Sequence, residues 1–164
     1  MLAPKQLIPS KTCLSCEFCC RFPKPNTVWQ PRLTAGEISA FDKLGFKNKI
    51  LKGAVKSKAQ GKFFACSFLR SSKNACGIYR QRPLECRLYP FVLMVGKDGV
   101  LLAAHLACPF VLENIKTAEF KRHAAYLKKY FSRESSRKFI KANPAIAQNY
   151  HGYAKELVSL FTIH

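Results

Sequence analysis

The chain has 164 residues, 48% of them hydrophobic, with a formal net charge of +19 and eight cysteines. Its apolar content excludes disorder for most of the chain, and its length fits one domain, or one domain with a helical extension. The longest apolar run, residues 91–95, is far shorter than the ~18 residues of a membrane-spanning helix, so we expect no transmembrane segment.

The N-terminal sequence MLAPKQLIPSK holds no apolar segment of the length found in secretory signal peptides. We therefore expect a soluble, cytoplasmic protein. Disulfides do not persist in a reducing compartment, which favours metal binding by the cysteines over bridging. The even number of cysteines leaves a disulfide framework as an alternative. However, Cys13-x-x-Cys16-x-x-Cys19-Cys20 crowds its sulfurs too closely for bridges of normal geometry.

Two helices are predicted after this cysteine run. Thr34 and Glu37 form a capping box, in which each side chain satisfies a free backbone donor, and Gly45 marks the end of the helix that follows. Residues 47–61 form a basic amphipathic stretch that carries five lysines and favours a second helix.

Short strands are predicted in the middle of the chain. Residues 63–66 and 76–79 each have the composition of a short strand. Residues 91–95 and 100–104 flank the sequence Gly-Lys-Asp-Gly, which is a clear signal for a β-hairpin.

The C-terminal part has a helical period from residue 113 to about residue 141, with an apolar face formed by Ile115, Phe120, Ala124, Leu127 and Phe131. Asn143-Pro144 predicts the start of a last helix, with an apolar stripe of Ile146, Tyr150, Tyr153, Leu157 and Leu160. The sequence therefore predicts an α+β fold. A small metal-centred domain with a short β-hairpin spans residues 1–112, and a C-terminal helical pair packed on it spans residues 113–164.

The spacing of the cysteines bears on the choice of metal. Zinc sites usually combine two separate Cys-x-x-Cys knuckles, but here Cys13/Cys16 and Cys16/Cys19 overlap. The downstream cysteines are Cys66, Cys76, Cys86 and Cys108, and none of them belongs to a Cys-x-x-Cys pair. A Cys-x-x-Cys-x-x-Cys run completed by a remote cysteine before proline, here Cys108-Pro109, resembles the ferredoxin pattern. We therefore predict a [4Fe-4S] cluster, with zinc as the alternative.

Eight sulfurs suffice for one or two four-ligand centres. A single centre would use Cys13, Cys16 and Cys19 with one of the four downstream cysteines. Cys20 is predicted to face a second centre, because the side chains of adjacent residues diverge in extended backbone. The predicted metal ligands are thus Cys13, Cys16, Cys19, Cys20, Cys66, Cys76, Cys86 and Cys108.

Two arginines flank Cys86. Arg82 and Arg87 are predicted to neutralise the negative charge of a thiolate-bound centre and to orient an anionic substrate, the alternative being arginines that bond loop carbonyls. His105 lies three residues before Cys108 and is an alternative ligand, although a surface or core histidine is the more ordinary interpretation.

The positive charge predicts a polyanionic partner, RNA or DNA, or an anionic membrane face. Residues 116–141 interleave lysine and arginine with phenylalanine and tyrosine, as single-strand binding proteins do, but these aromatics fall at core spacing. The second hypothesis is accordingly a nucleic-acid-binding module with a structural metal. A solvated basic surface or a protein partner is the alternative explanation of the charge.

Four motifs carry a resemblance to a known family: Cys13-x2-Cys16-x2-Cys19-Cys20, Pro31-x-Leu33-Thr34-x2-Glu37, Cys66-x-Phe68-Leu69 and Cys76-x-Ile78-Tyr79-x2-Arg82-Pro83-x2-Cys86-Arg87-x-Tyr89-Pro90-Phe91. With these motifs the chain resembles the YkgJ-type cysteine-cluster family of zinc- or iron-chelating CxxCxxCC proteins. The resemblance implies a metal-binding domain related to the cluster region of flagellin lysine N-methylases, which use S-adenosylmethionine. The chain lacks a glycine-rich fingerprint for that cofactor and any other independent catalytic motif. The expected role is redox, metal handling or an association with methyl transfer.

Overall fold

The computed structural model describes residues 4–16, 18–73 and 75–164, which form two compact units. One comprises Ile8–Cys86 and holds seven of the eight cysteines; we call it the thiol unit. The other comprises Arg87–His164 with the described part of Met1–Leu7; we call it the sheet unit. Helices and antiparallel strands occur together, so the predicted α+β class is confirmed. The predicted domain boundary at residue 112 stays a prediction.

The thiol unit is built from short elements. Its helices are α1 (Ser10–Ser15), α2 (Ala35–Lys43) and the first residues of α3 (Leu84–Leu88). A three-stranded sheet has the order β1-β5-β4, and two further two-stranded ladders are β2-β3 and β6-β7. The strands are β1 (Arg21–Phe22), β2 (Ile50–Leu51), β3 (Ala54–Val55), β4 (Ser57–Gln60), β5 (Phe63–Cys66), β6 (Leu69–Arg70) and β7 (Ala75–Cys76).

Helix α2 has the predicted ends. The Thr34 hydroxyl accepts a hydrogen bond from the Glu37 amide at 3.2 Å, and the Glu37 carboxylate accepts one from the Thr34 amide at 2.9 Å. After the last turn, Gly45 adopts a φ of +76°, which glycine adopts without a Cβ penalty. The capping box and the glycine stop are therefore confirmed.

The second helix predicted over residues 47–61 is wrong. Only a 3-10 turn, Lys47–Lys49, precedes the strands β2, β3 and β4. Gly53 and Gly61 have φ angles of +73° and +60° at the β2-β3 and β4-β5 turns, so the chain reverses where a helix would continue. The strand predicted over residues 76–79 is also shorter than expected, since Tyr79 already begins the 3-10 turn Tyr79–Gln81.

An aromatic group lies at the centre of the thiol unit. Phe41 and Phe46 each meet the Phe68 ring edge to face, with ring centroids 5.7 Å and 5.1 Å apart. Phe22, Leu33 and further apolar side chains complete this core. Burial of these groups anchors α2 and β1 to the segment that follows β5.

The sheet unit contains longer elements. Its sheet has the order β10-β9-β8, formed by β8 (Phe91–Gly96), β9 (Gly99–His105) and β10 (Leu157–Ile163). The helices are α4 (Pro109–Asn114), α5 (Ala118–Phe131) and α6 (Glu134–Ala142). The predicted hairpin is confirmed as β8-β9. None of the helices within the described residues combines the length and the apolar character that crossing a bilayer requires.

The predicted helix over residues 113–141 is in fact interrupted twice. Thr117 caps α5 by accepting a hydrogen bond from the Phe120 amide at 3.2 Å, so the chain turns before that helix. The Ser136 hydroxyl donates to the Tyr130 carbonyl at 2.8 Å and stabilises the break between α5 and α6. Phe120 and Phe131 are buried, as the helical period predicted.

The last predicted helix is wrong. After two 3-10 turns, Pro144–Ile146 and His151–Glu156, the chain forms strand β10, which pairs with β9. The segment contains Val158, Thr162 and Ile163, whose branched side chains favour an extended backbone, and the edge of β9 offers it hydrogen-bonding partners. Ile146 and Tyr150 are nevertheless buried, as predicted for core positions.

Candidate metal centre

Cysteines from four separate stretches face one another in the thiol unit. Cys13 lies on α1, and Cys19 and Cys20 lie in the turn before β1. Cys66 ends β5, Cys76 lies on β7 and Cys86 on α3. We call these six residues the thiol cluster.

Backbone pairing brings the N-terminal run to the middle of the chain. The Cys66 amide donates to the Cys20 carbonyl at 2.8 Å, directly beside the β1-β5 pair Arg21↔Ala65. Cys76 in turn pairs with Leu69 across β6-β7. The folding of these short ladders therefore positions the downstream cysteines beside the CxxCxxCC run.

The thiols of the cluster interact directly and through their charges. Hydrogen bonds that Cys19 donates to Cys13 and Cys20 raise the pKa of Cys19 well above its ordinary value, with burial adding to the effect. The same bond lowers the pKa of Cys20, whose thiolate it stabilises. Cys20 is accordingly the cysteine of this pair that ionises first.

Burial is the main cause of the raised pKa values of the downstream cysteines in the thiol cluster. It raises the pKa of Cys66 to about 12, and the charge of Cys20 adds to the rise. Burial also raises the pKa of Cys76, and it raises that of Cys86 well above the ordinary range, helped by the charges of Cys66 and Cys20. These three thiols are therefore protonated at neutral pH in the metal-free protein, and a metal that binds them would release their protons.

Arg82 is a cationic partner of the cluster, as is Arg21, whose charge also lowers the pKa of Cys20. Arg82 is buried, its Nη1 donates to the Cys13 sulfur at 3.6 Å and its Nε donates to the Tyr79 carbonyl at 3.0 Å. Its guanidinium also stacks 3.8 Å from the centre of the Tyr79 ring. Arg82 thus bonds a backbone carbonyl, and its positive charge also favours the thiolate forms of Cys20 and Cys76. That it neutralises a bound centre and orients an anionic substrate stays a prediction.

Two carboxylates that the sequence did not assign to the site hold the helix of Cys86. Glu37 Oε1 accepts a hydrogen bond from the Leu84 amide at 2.6 Å, and Glu85 Oε2 accepts one from the Arg32 amide at 2.7 Å. The capping-box pattern predicted only the bond between Glu37 and Thr34. No sequence signal identified the partner of the second Glu37 oxygen, because that partner lies 47 residues away.

The remaining predicted site residues are Cys16, Cys108 and Arg87. Cys16 follows α1 in extended backbone and is half-buried. Cys108 and Arg87 belong to the sheet unit, where Cys108 is buried before α4 and the charge of Arg87 acts on Tyr130. Their roles at a metal centre stay predictions.

His105, the alternative ligand, is a buried histidine of the sheet unit. Its Nδ1 lies 3.2 Å from the Tyr89 hydroxyl, and its Nε2 lies 3.4 Å from the Glu156 carboxylate. Burial lowers the pKa of His105, and the Glu156 hydrogen bond works against that change. Because both ring nitrogens have partners, His105 fits the core interpretation better than the role of a ligand.

The chemistry of the thiol cluster suits a soft or borderline metal. Within the described residues, no three His, Cys, Asp or Glu side chains are already arranged to hold an ion. Thiolate is the donor that both zinc and iron-sulfur clusters use, and the buried Arg82 charge balances the negative charge that deprotonation creates. The residues present therefore fit either group.

Thiols gathered from distant stretches around a buried arginine define a cysteine-cluster metal-binding protein. The family model "CxxCxxCC: Putative zinc- or iron-chelating domain" matches residues 12–109, more than half of the chain. The chain belongs to this family, which confirms the resemblance predicted from its motifs. A search of curated proteins and a search of solved structures each find no match.

Proposed function

We propose that the protein binds a [4Fe-4S] cluster in the cytoplasm through its cysteines, in a redox, metal-handling or methyl-transfer-associated role. The observation that supports this proposal best is the thiol cluster itself, drawn from four stretches into one unit. The overlapping Cys-x-x-Cys spacing favours an iron-sulfur cluster over zinc, because zinc sites usually take ligands from two separate pairs.

The ligands proposed for a first centre are Cys13, Cys16 and Cys19, completed by one downstream cysteine. Cys20 would belong to a second centre with the remaining thiols, adjacent to the first centre because the Cys19 thiol bonds that of Cys20. When bound, a [4Fe-4S] cluster supplies one-electron transfer at a potential that its protein surroundings set. Here the surroundings include the buried side chain of Cys66 and the guanidinium of Arg82.

Arg82 supports an anionic centre in two ways. Its donated N–H bond withdraws electron density from the Cys13 sulfur, and its positive charge favours the thiolate form of neighbouring cysteines. Tyr79 holds the guanidinium in place from its other face. We therefore expect Arg82 to raise both metal affinity and reduction potential.

Anaerobic purification followed by analysis of iron, zinc and acid-labile sulfide tests the proposal. We expect iron and sulfide in equal amounts, a broad visible absorption and, after reduction, an electron paramagnetic resonance signal. A colourless protein with stoichiometric zinc would refute the iron-sulfur cluster and establish the zinc alternative. A protein that binds neither metal, even after reconstitution, would refute both.

A basic face on α5 and α6 favours a second function, the binding of a polyanion. Its exposed basic side chains are Lys121, Arg122, Lys128, Lys129, Arg133, Arg137, Lys138 and Lys141. Glu119 and Glu134 are the acidic residues of these two helices, and Glu134 is paired with Lys138 at 2.8 Å. Because Phe120, Tyr130 and Phe131 are buried, this face would act through charge and not through base stacking.

Binding of polyuridylate at several salt concentrations tests this second function. Replacing Lys128 and Lys129 with glutamine should reduce the dependence of log K on log salt by about 1.4, since each lost phosphate contact on a single strand contributes ~0.7. The matched control replaces Lys97 and Lys155, exposed lysines outside these helices, and should leave the slope unchanged. Affinity that does not depend on salt would refute the proposal.

A further inference from the structure

The Glu37 carboxylate does more than a capping box requires. One oxygen, Oε2, accepts hydrogen bonds from the Thr34 amide at 2.9 Å and from the Thr34 hydroxyl at 3.0 Å. These bonds complete the cap of α2. The other oxygen, Oε1, accepts the 2.6 Å bond from Leu84, the first residue of α3.

Glu85 makes the reverse connection between the same two segments. It lies on α3, and its carboxylate accepts the 2.7 Å bond from the Arg32 amide, two residues before Thr34. Both connections are hydrogen bonds to a charged oxygen, which are shorter and stronger than bonds between neutral groups. Leu33, Pro83 and Leu84 are buried beside these bonds, so water competes little for the donors.

Helix α3 depends on such external support. It has five residues, too few to be stable through its own hydrogen bonds. Pro83 has no amide hydrogen, so the Leu84 amide is the first donor at the start of the helix, where no partner exists within the helix. Cys86 lies two residues further on and reaches the thiol cluster from this short helix.

We infer that Glu37 and Glu85 are positioning residues, forming a carboxylate clamp that directs Cys86 toward the metal centre. This inference rests on the proposed metal-binding function. It gives the segment from Arg32 to Glu37 a role in the site, although none of its residues belongs to the predicted ligands. The clamp sets the direction of α3 and therefore the direction in which the Cys86 sulfur points.

Alkylation of the metal-loaded protein by iodoacetamide, with peptide mass spectrometry, tests the clamp at single cysteines. In the unaltered protein we expect Cys86 and Cys76 to be protected, and to become reactive after chelation. In Glu37→Ala and Glu85→Ala we expect Cys86 to react at least about tenfold faster while Cys76 stays protected. Glu37→Gln keeps an acceptor oxygen for Leu84 and should restore most of the protection.

Thr34→Ala is the matched control, because it weakens the cap of α2 but leaves the bond between Glu37 and Leu84. We expect it to keep Cys86 protected. Equal protection of Cys86 in both clamp variants and the unaltered protein would overturn the inference, and so would equal exposure of every thiol, which indicates general unfolding. If alkylation of the unaltered protein is the same with and without chelator, the metal-binding proposal itself fails.

Discussion

The two units of the molecule are stabilised in different ways. In the sheet unit, strands of six or seven residues pair along their length and α5 runs for 14 residues over a buried apolar face. In the thiol unit no described strand exceeds four residues, and its longest described helix has nine. Elements that short gain little from their own hydrogen bonds, so side chains that connect distant segments must contribute more of the stability.

The contrast extends to the polar groups that each unit buries. In the sheet unit, His105 lies between Tyr89 and Glu156 with both ring nitrogens engaged, an arrangement complete within the protein. In the thiol unit, thiols of raised pKa act on one another, and the buried guanidinium of Arg82 bonds the Cys13 sulfur. Under the proposed function, a metal replaces the protons of these thiols. We therefore expect the metal to stabilise the thiol unit far more than the sheet unit.

Removal of the metal should produce the largest effect. A structural thiolate site contributes on the order of 10 kcal/mol to folding, so chelation should greatly lower hydrogen-exchange protection in β5, β7 and α3 without abolishing it. The ladder between β9 and β10 should keep its protection. Loss of protection to the same extent in both units would contradict the distinction between them.

Truncation of Phe131 should affect the sheet unit alone. This fully buried residue ends α5, and Phe131→Ala should lower the free energy of unfolding of that unit by about 3–5 kcal/mol. Urea denaturation with and without chelator measures the loss, which should be the same in both conditions. Leu112→Ala, at a residue 63% exposed, is the control and should have little effect.

Replacement of Arg82 should have a smaller effect, confined to the metal site. Arg82→Gln removes the charge beside Cys13, and partners of this kind typically change metal affinity by about 10- to 100-fold. Competition with a chelator of known affinity measures the change. Arg80→Gln removes the same charge from an exposed position and should change affinity little. Equal losses in the two variants would show that net charge, and not the bond to Cys13, is responsible.

Alkaline pH should gradually lower the stability of the thiol unit, and this loss should be absent near neutral pH. Because the pKa of Cys66 is raised to about 12 in the folded protein, the stability that this thiol contributes is complete below its ordinary pKa. It is lost as pH rises toward 12. Metal-free protein should therefore lose stability over this range, whereas metal affinity should increase with pH as protons become easier to displace. Denaturation curves of the metal-free protein and of its Cys66→Ala variant test the first trend, which should be weaker in the variant.

The sequence predicted local features well where one short pattern determines the conformation. Thr34 with Glu37, and Gly-Lys-Asp-Gly between apolar runs, specify a cap and a hairpin whatever surrounds them. The segment around Leu157 and Leu160 was misread, because its leucines fit a helical stripe while pairing with β9 decides its conformation. Long-range pairing of this kind overrides local periodicity.

At the candidate site, the sequence likewise identified residues but not the long-range contacts between them. The cysteines and Arg82 were identified from residue type and spacing. Strand pairs such as β1-β5 decide which thiols become neighbours. The spacing of cysteines in the sequence does not predict which strands pair. The second oxygen of Glu37 was missed for a related reason, since its partner Leu84 is far away in the sequence and offers only a backbone amide.

X-ray absorption spectroscopy at the edge of the bound metal shows directly whether cysteine sulfurs of the thiol cluster bind it. We expect a first coordination shell of sulfur, with iron neighbours if the metal is a [4Fe-4S] cluster, and loss of sulfur ligands when Cys66, Cys76 and Cys86 are replaced together by serine. A first shell of nitrogen and oxygen, or a sulfur shell unaffected by these three substitutions, would contradict this expectation.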